Sequence, residues 1–482
     1  MKIRTRFAPS PTGYMHIGNL RTALYAYLIA KHEGGDFILR IEDTDKNREV
    51  QGALDVIYKS LKIANLTYDE GPDIGGSVGP YVQSERVKDN IYMKYALQLV
   101  EQKKAYYCFC TEERLNSLKK EVNGEMLSFY DKHCLSLSQA EIDENLKKGI
   151  PFVIRQNNPT EGTTTFHDEL FGDITVNNNE LDDMVLIKSD GYPTYNFANV
   201  VDDHLMGITH VVRGSEYLSS TPKYNLLYDA FGWEIPKYIH CPQITDETHK
   251  KLSKRTGSAS YEDLINQGYL PDCILNFVAL LGWSPSDDRE IFSLKELEEA
   301  FDYHRISKSP AVFDRVKLNW MNGEYIKKMA DEEYLSIAMP FVDKTITLNI
   351  DKKKIAGFVK TRIENFNEIP DKISFFNSVK KDYDKELYTN KKNKLTIEDS
   401  KDIITKVLDI LNNTNDFSND NLFNLLSTFC KENEIKVAKL MWPIRIALSG
   451  EEVTPAGATE IASVLGKDET IKRLKQALEY IG

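Results

Sequence analysis

Histidine, glycine and lysine stand in two distant stretches of this chain where they could grip a polyphosphate and stabilise charge developing on it. The first stretch, KIRTRFAPSPTGYMHIGNLRT, occupies residues 2–22. Residues 2–8 alternate and are expected to form a strand. Pro9, Ser10, Pro11, Thr12 and Gly13 make a tight loop, and a helix is expected to begin at residues 17–19, with Leu20, Ala23, Leu24, Tyr27 and Leu28 on one face. Strand, Gly/Pro loop and helix N-terminus form an anion site, because unpaired backbone N–H groups and the positive end of the helix dipole converge on the loop. His16 and Gly18 stand at its mouth. Histidine can donate to phosphate oxygens, and glycine lets the backbone approach a nucleotide closely. The second stretch, KKLSKRTG at residues 250–257, is strongly cationic. A phosphate site joined by a remote lysine loop suits a nucleotide whose α-phosphate is attacked while pyrophosphate leaves, since preorganised cations stabilise the charge gathering on its oxygens. Alone, the helix mouth would read equally as an ordinary first βα unit with a surface histidine.

The elements that must hold these residues follow a parallel-sheet pattern. A second strand, residues 37–41, runs into Glu42, Asp43, Thr44 and Asp45. Strand, helix and strand with a short connection begin a parallel sheet, whose ligands gather at the carboxyl ends of its strands. The Ser10 and Glu42 loops are therefore expected side by side. Glu42 there could hold an α-ammonium group; the alternative is that Glu42 or Asp43 caps the next helix. Arg213 follows the apolar run at residues 208–212 and so falls at a strand's carboxyl end, where its fork could take a carboxylate bidentately. Arg6 is its companion near the same edge; either could instead be an ion-paired surface arginine. Tyr195 and Asn199 lie four apart and would share a helix face. Helices are expected at 54–63, 86–103 and 261–281, strands between 151 and 190 with a hairpin turn at Asp190-Gly191, and mostly helix from 331 onward. GPDIGGSVGP at residues 71–80 lacks a dinucleotide-binding spacing and reads as a loop. Trp283 and Trp320 are expected in the core.

A chain of 482 residues suggests about three or four domains. No run approaches the ~18 apolar residues of a membrane span, and no signal-peptide pattern is seen at the N-terminus, so the expected compartment is the cytoplasm. The net charge of −12 argues against a surface coated in phosphate-binding groups but allows a local basic track toward RNA. Six cysteines do not make a disulfide framework. Cys241, Cys273 and Cys430 are expected as buried thiols, whereas Cys108, Cys110 and Cys134 with a fourth oxygen or nitrogen donor could close a tetrahedral zinc site.

The two stretches, as His16-Ile17-Gly18-Asn19 and Lys251-Leu252-Ser253-Lys254-Arg255, resemble the HIGH and KMSKS signatures of class I aminoacyl-tRNA synthetases. Their wider context is similar to the bacterial glutamyl-tRNA synthetase family: RFAPSPTGYMHIGN, FILRIEDTD (37–45), DEGPDIGG (69–76), YPTYNFANVVDDH (192–204), LGWSP (281–285) and SKSPAVFD (307–314). These blocks span roughly the first two-thirds of the chain; WPIRIALSG and LGKDETIKRL beyond them match more loosely.

The resemblance implies an α/β fold: a Rossmann-like parallel-sheet catalytic domain with an α+β insertion, then an all-α anticodon-binding region. The expected boundaries are 1–85 and 191–250 for the catalytic halves, 86–190 for the acceptor-end insertion, 251–330 for the KLSKR loop and stem-contact domain, and 331–482 for the anticodon-binding part. It implies ATP-dependent ligation of L-glutamate to the 3′ end of tRNA(Glu) through a glutamyl-adenylate, with Mg2+ on the phosphates, in a chain that is a monomer by default. His16, Gly18, Lys251, Ser253, Lys254 and Arg255 fall on its ATP-binding positions, with His16, Lys251 and Lys254 catalytic. Arg6, Ser10, Glu42, Tyr195, Asn199 and Arg213 fall on its glutamate-binding positions. Some members carry zinc on a set that maps to Cys108, Cys110, Tyr130 and Cys134. His133 competes as fourth ligand, Ser136 stands where some members have a histidine, and three reduced thiols are the alternative. Asn19 replaces the last histidine of the first signature and is assigned no catalytic role, since it cannot become cationic. Arg362 is a candidate anticodon contact. The rivals are a glutaminyl-tRNA synthetase, a tRNA-independent glutamyl-transferring relative, which would lack the C-terminal third, and a catalytically inactive nucleotide- and RNA-binding regulator.

Overall fold

The computed structural model describes residues 2–45, 50–122, 125–128, 130–250, 252 and 260–482. It divides into two compact units, Met1–Asn266 with Pro271–Asp314, and Gln267–Leu270 with Arg315–Gly482. Among the described residues no helix is long and apolar enough to cross a membrane.

The first unit opens with β1 (Arg4–Phe7), α1 (Ile17–His32) and β2 (Asp36–Leu39), and the two strands pair in parallel from Arg4↔Asp36 to Phe7↔Leu39. Apolar on nearly every side, α1 is buried through Ile17, Leu20, Leu24, Tyr25 and Leu28, as an inner helix of a sheet layer must be. The chain continues through α2 (Ala53–Ile63), α3 (Gln83–Lys88), α4 (Ile91–Glu101) and β3 (Ala105–Cys108). After α5 (Glu112–Ser117), the hairpin β4–β5 (Lys119–Val122, Glu125–Ser128) and α6 (Gln139–Lys147) come β6 (Val153–Gln156), β7 (Thr163–Asp168), β8 (Gly172–Asn177) and β9 (Val185–Ile187). Next are α7 (Tyr195–Leu205), β10 (His210–Gly214), α8 (Thr221–Phe231) and β11 (Lys237–Cys241), followed by the helices Tyr261–Asn266, Pro271–Ala279 and Leu294–Ala300 and the paired short strands Ile244–Thr245 and Ala311–Val312.

β10 and β11 pair in parallel, with Arg213 opposite His240. β1 and β10 are held side by side: Thr209 N donates to Arg4 O at 3.0 Å, and Arg4 N to Thr209 Oγ1 at 2.9 Å. Glu42 N donates to Pro9 O at 3.1 Å, so the Ser10 and Glu42 loops do meet. The carboxyl ends of β1, β2, β10 and β11 thus share one edge.

Three expectations are corrected. Residues 86–103 are not one helix: α3 and α4 are separate, because Asn90 is left-handed (φ 55°), a conformation that Asn tolerates and an α-helix cannot continue through. The strands between 151 and 190 are split between two sheets. β6 joins β3 and β9 in an antiparallel sheet, whereas β7, which pairs with β8, also pairs in parallel with β11 through Tyr238↔Asp168 and so extends the catalytic sheet. Trp283 is buried, but Trp320 is 39% exposed. It lies on the helix Arg315–Lys328, whose buried face is Leu318, Met321, Asn322 and Ile326, and Val316 one turn back is exposed with it. The loop at 71–80 and the buried thiols Cys241, Cys273 and Cys430 are as expected.

The second unit is helical. Asp331–Thr345, Lys352–Val359, Ile397–Asn412, Asn419–Glu432, Val437–Ser449 and Ala458–Ile481 enclose a core that includes Tyr334, Ile404, Leu440 and Leu474. Buried Arg473 ties three segments by donating to Phe375 O and Phe376 O at 2.7 Å and Leu448 O at 2.8 Å.

Candidate active site

A cavity of about 450 Å3 opens at the shared edge of the four strands. Arg6, Ser10, His16, Gly18, Glu42, Tyr195 and Arg213, all singled out from the sequence, line it. Asn199 does not. It is buried one turn behind Tyr195, and its amide donates to Tyr195 O at 2.8 Å, which makes it a support for that residue. Lys251, Ser253, Lys254 and Arg255 lie outside the described residues.

At the mouth, His16 is the N-cap of α1, an unusual use of histidine. Its Nδ1 accepts from Gly18 N at 3.1 Å, which in the neutral ring puts the proton on Nε2. The Gly18 N–H is therefore engaged by His16. A Cβ built at Gly18 meets only the His16 ring among the described residues, nearest at 3.4 Å, so glycine here keeps space open at the mouth.

Leu252, within the cationic stretch, and Ser260 and Tyr261, just after it, come back to this mouth. Leu252 N donates to Ile244 O at 3.2 Å, and Ile244 lines the cavity. Ser260 bridges His16, and Tyr261 N donates to Met15 O at 2.9 Å.

The two arginines differ in how their charge is matched. Arg6 is paired bidentately with Asp203 (3.0 and 3.3 Å) and donates to Val212 O at 3.2 Å. Arg213 has no carboxylate within ion-pair distance among the described residues. It spends two donors, Nε on His240 Nε2 at 3.0 Å and Nη2 on Thr221 Oγ1 at 2.8 Å, and lies over the rings of Tyr217, Tyr224 and Tyr238 at 4.8–5.4 Å. Glu42 gives Oε1 to Arg40, 2.9 Å from Nη2. Arg40, fully buried, also reaches Asp203 at 2.7 Å. Burial pushes the Glu42 carboxyl above its usual range, with Arg40 and Arg6 opposing. Burial acts likewise on Asp203, but there the two guanidiniums prevail and hold it low. Burial raises Tyr195 far above the ordinary phenol range, so it is a neutral donor. Asp43 is not the N-cap of the next helix, α2, which is Gly52; its Oδ1 instead accepts from Ser84 N, in the first turn of α3, at 2.8 Å.

Sequence reasoning passed over Arg40, Asp168, His240 and the role of Asp203. A usable signal existed for two of them: Arg40 inside the apolar FILRI and His240 near the end of KYIHC are polar residues in strands otherwise fit for a core.

At a second place, Cys108, Cys110 and Cys134 bring their sulfurs within 4.8 Å of one another. Tyr130 Oη lies 3.3 Å from Cys108 Sγ and 3.5 Å from Cys110 Sγ, and accepts from Cys134 N at 3.1 Å. His133 is not in that group; its backbone N donates to Asp131. Three sulfurs and one oxygen around a common point fit a tetrahedral zinc set.

Residues 2–320 match the family model described as tRNA synthetases class I (E and Q), catalytic domain, and residues 318–478 match the anticodon binding domain model. The chain belongs to the class I tRNA synthetases of this E and Q group. It is 59% identical to the glutamate--tRNA ligase of Clostridium kluyveri over 100% of this chain and 98% of that protein, and 58% identical to that of Clostridium acetobutylicum over 100% and 99%. Among solved structures, a glutamate tRNA ligase from Elizabethkingia meningosepticum in complex with its amino acid matches at 35% identity and TM-score 0.89, covering 100% of both chains. The glutamate-tRNA synthetase of Elizabethkingia anophelis matches at 36% and 0.89, covering 99% of this chain and 100% of that one.

Proposed function

We propose that this chain ligates L-glutamate to the 3′ end of tRNA(Glu) in two steps. An α-carboxylate oxygen of glutamate attacks the α-phosphorus of ATP, the bond to the β-phosphate oxygen breaks, and pyrophosphate leaves. A ribose hydroxyl of the terminal adenosine then attacks the activated carbonyl and AMP leaves. Neither step needs a protein nucleophile, since positioning and charge stabilisation carry both.

The observation that carries this reading is the return of the cationic stretch to the cavity at two points, Leu252 within it to Ile244 and Ser260 just after it to His16. It supports one triphosphate lying between His16 and Lys251 and Lys254. His16 donates from Nε2 to phosphate, and Gly18 gives the nucleotide room. The only carboxylates lining the cavity among the described residues are Glu42 and Glu216, too few for a dedicated metal cage, which fits Mg2+ arriving on the triphosphate and neutralising its charge. Arg213, with its unmatched charge, takes the side-chain carboxylate of glutamate; Glu42 takes the α-ammonium; Ser10, Tyr195 and Arg6 orient the rest, and Asn199 braces Tyr195.

Pyrophosphate exchange with glutamate, ATP and tRNA tests the reading, and activity with glutamine alone, or none, overturns it. Lys254→Ala is expected to slow adenylate formation about tenfold, from loss of one charge-assisted contact to the leaving group; a change under about threefold, ~0.6 kcal/mol, removes the loop from the mechanism.

The insertion around β3, β6 and β9 is assigned to the tRNA acceptor end and the second unit to the anticodon, where exposed Arg362 is a candidate contact. The enzyme works as a cytoplasmic monomer. Cys108, Cys110, Cys134 and Tyr130 hold a structural zinc. Protein purified without chelator is expected to carry about one zinc per chain, and Cys110→Ser to lose most of it; metal content far below one in the unaltered protein ends the zinc assignment.

A further inference from the structure

Beneath Arg213 lies a chain of buried polar groups that the two-step reaction does not use. Asp168, on β7, and His240, on β11, are both fully buried. Asp168 Oδ1 accepts from Leu170 N at 2.9 Å and Phe171 N at 2.8 Å. Its Oδ2 accepts from His240 N at 3.2 Å and meets His240 Nδ1 at 2.7 Å. With N–H donors on both oxygens, the carboxylate is an acceptor throughout, so His240 Nδ1 carries the ring proton. Nε2 is then an acceptor, and Arg213 Nε–H donates to it. Thr221 cannot take over that role: its hydroxyl donates to Tyr217 O at 2.8 Å while its oxygen accepts from Arg213.

This arrangement holds two edges of the guanidinium without cancelling its charge. In the same cavity, Arg6 meets the carboxylate of Asp203 directly and is neutralised. Arg213 meets a neutral imidazole, and the nearest anion of its chain, Asp168, stands one residue further back. An uncompensated buried cation favours an anionic partner over a neutral one of the same shape.

We propose that Asp168 and His240 are positioning residues for amino-acid specificity, holding Arg213 with its charge unspent so that the cavity accepts a side-chain carboxylate and refuses the corresponding amide. The inference rests on the reading of Arg213 as the partner of that carboxylate. Protonating His240 would set N–H against N–H and two cations 3.0 Å apart, expelling the fork from its pose. The groups facing His240 are Asp168 from β7, Arg213 from β10, Glu216 from the turn after it and Thr221 from α8. Burial, helped by Arg213, outweighs Asp168 and Glu216 and keeps the imidazole below its ordinary value, so it is neutral at physiological pH.

The test is pyrophosphate exchange with tRNA, read as KM for glutamate, KM for ATP and the glutamate-to-glutamine ratio of kcat/KM, between pH 5.5 and 7.5. In the unaltered enzyme the glutamate KM is expected to climb toward the acid end while the ATP KM stays flat. His240→Gln places an amide oxygen near the Nε2 position and cannot protonate, so it should keep the neutral-pH glutamate KM within about threefold and lose the acid limb. His240→Leu removes the acceptor and should raise the glutamate KM about tenfold and narrow the ratio by a similar factor. A folded leucine variant with unchanged glutamate KM, or a glutamine variant with the unaltered acid limb, overturns the proposal. If the leucine variant does not fold, the pH profile of the glutamine variant decides alone. If Arg213→Met also leaves the glutamate KM unchanged, it is the underlying reading of Arg213 that fails; if only the His240 variants are silent, the relay alone fails.

Discussion

Asp203→Ala is expected to cost the first unit about 3–5 kcal/mol of stability, because it strands the buried guanidinium of Arg6 and takes from Arg40 the nearest of its three carboxylates. Asp203 pairs with Arg6 through both oxygens and with Arg40 at 2.7 Å, and all three side chains are buried. Neither arginine can shed its proton; Arg40 keeps Glu42 at 2.9 Å and Asp202 at 3.8 Å, but Arg6 keeps no carboxylate within ion-pair distance among the described residues. The effect should depend on pH in a definite sense. The carboxyl of Asp203 is held below its unfolded value of about 3.9, so its contribution is complete above that pH and is lost as pH falls through the depressed folded value. Urea unfolding at pH 7 should show the full difference between the unaltered protein and the variant, and the two should converge as pH drops below about 4. A difference under about 1 kcal/mol at pH 7 would mean the arginines find other partners.

How much of this was readable in the sequence depends on the range of the interaction concerned. The opening βα unit, the helix start at Ile17, the neighbouring Ser10 and Glu42 loops and the position of Arg213 at a strand's end all follow from local periodicity and from the rule that parallel strands present their carboxyl ends together. The matching of charges does not. Arg6 meets Asp203 across 197 residues, Arg40 meets Asp203 across 163, and His240 meets Asp168 across 72, and a single sequence carries no mark of such pairings. The sequence therefore presented Arg6 and Arg213 as equals, whereas in the fold one is neutralised and the other is not. The assignment of β7 failed for the same reason: its pairing with β11 joins residues distant in the sequence. The engagement of the Gly18 N–H is of another kind. Its contact with His16 spans two residues, but histidine is not among the preferred N-cap residues, so nothing in the pattern suggested that the ring would take the amide. Trp320 was expected in the core, yet the helix carrying it buries a different face.

Arg213→Met is expected to lower kcat/KM for glutamate by about 100- to 1,000-fold, the equivalent of roughly 3–4 kcal/mol, and to bring the glutamate-to-glutamine ratio toward unity. The size follows from the burial of the guanidinium and from its lack of a carboxylate partner among the described residues: the charge is available to a ligand and is little screened by water. The same substitution should leave stability within about 1 kcal/mol of the unaltered chain. Losing Arg213 leaves acceptors on His240 and Thr221 unfilled, a cost of about 1–3 kcal/mol, but it also removes a buried cation that nothing in the described protein neutralises. Asp203 and Arg213 are thus opposite cases in one cavity. The first serves the fold and its loss is read by unfolding; the second strains the fold in favour of a ligand and its loss is read by catalysis. Initial rates of pyrophosphate exchange, set beside urea unfolding of the same variants, separate the two. If Arg213→Met proved as destabilising as Asp203→Ala while leaving the glutamate KM unchanged, Arg213 would be a structural cation and the cavity would have to find its anion elsewhere.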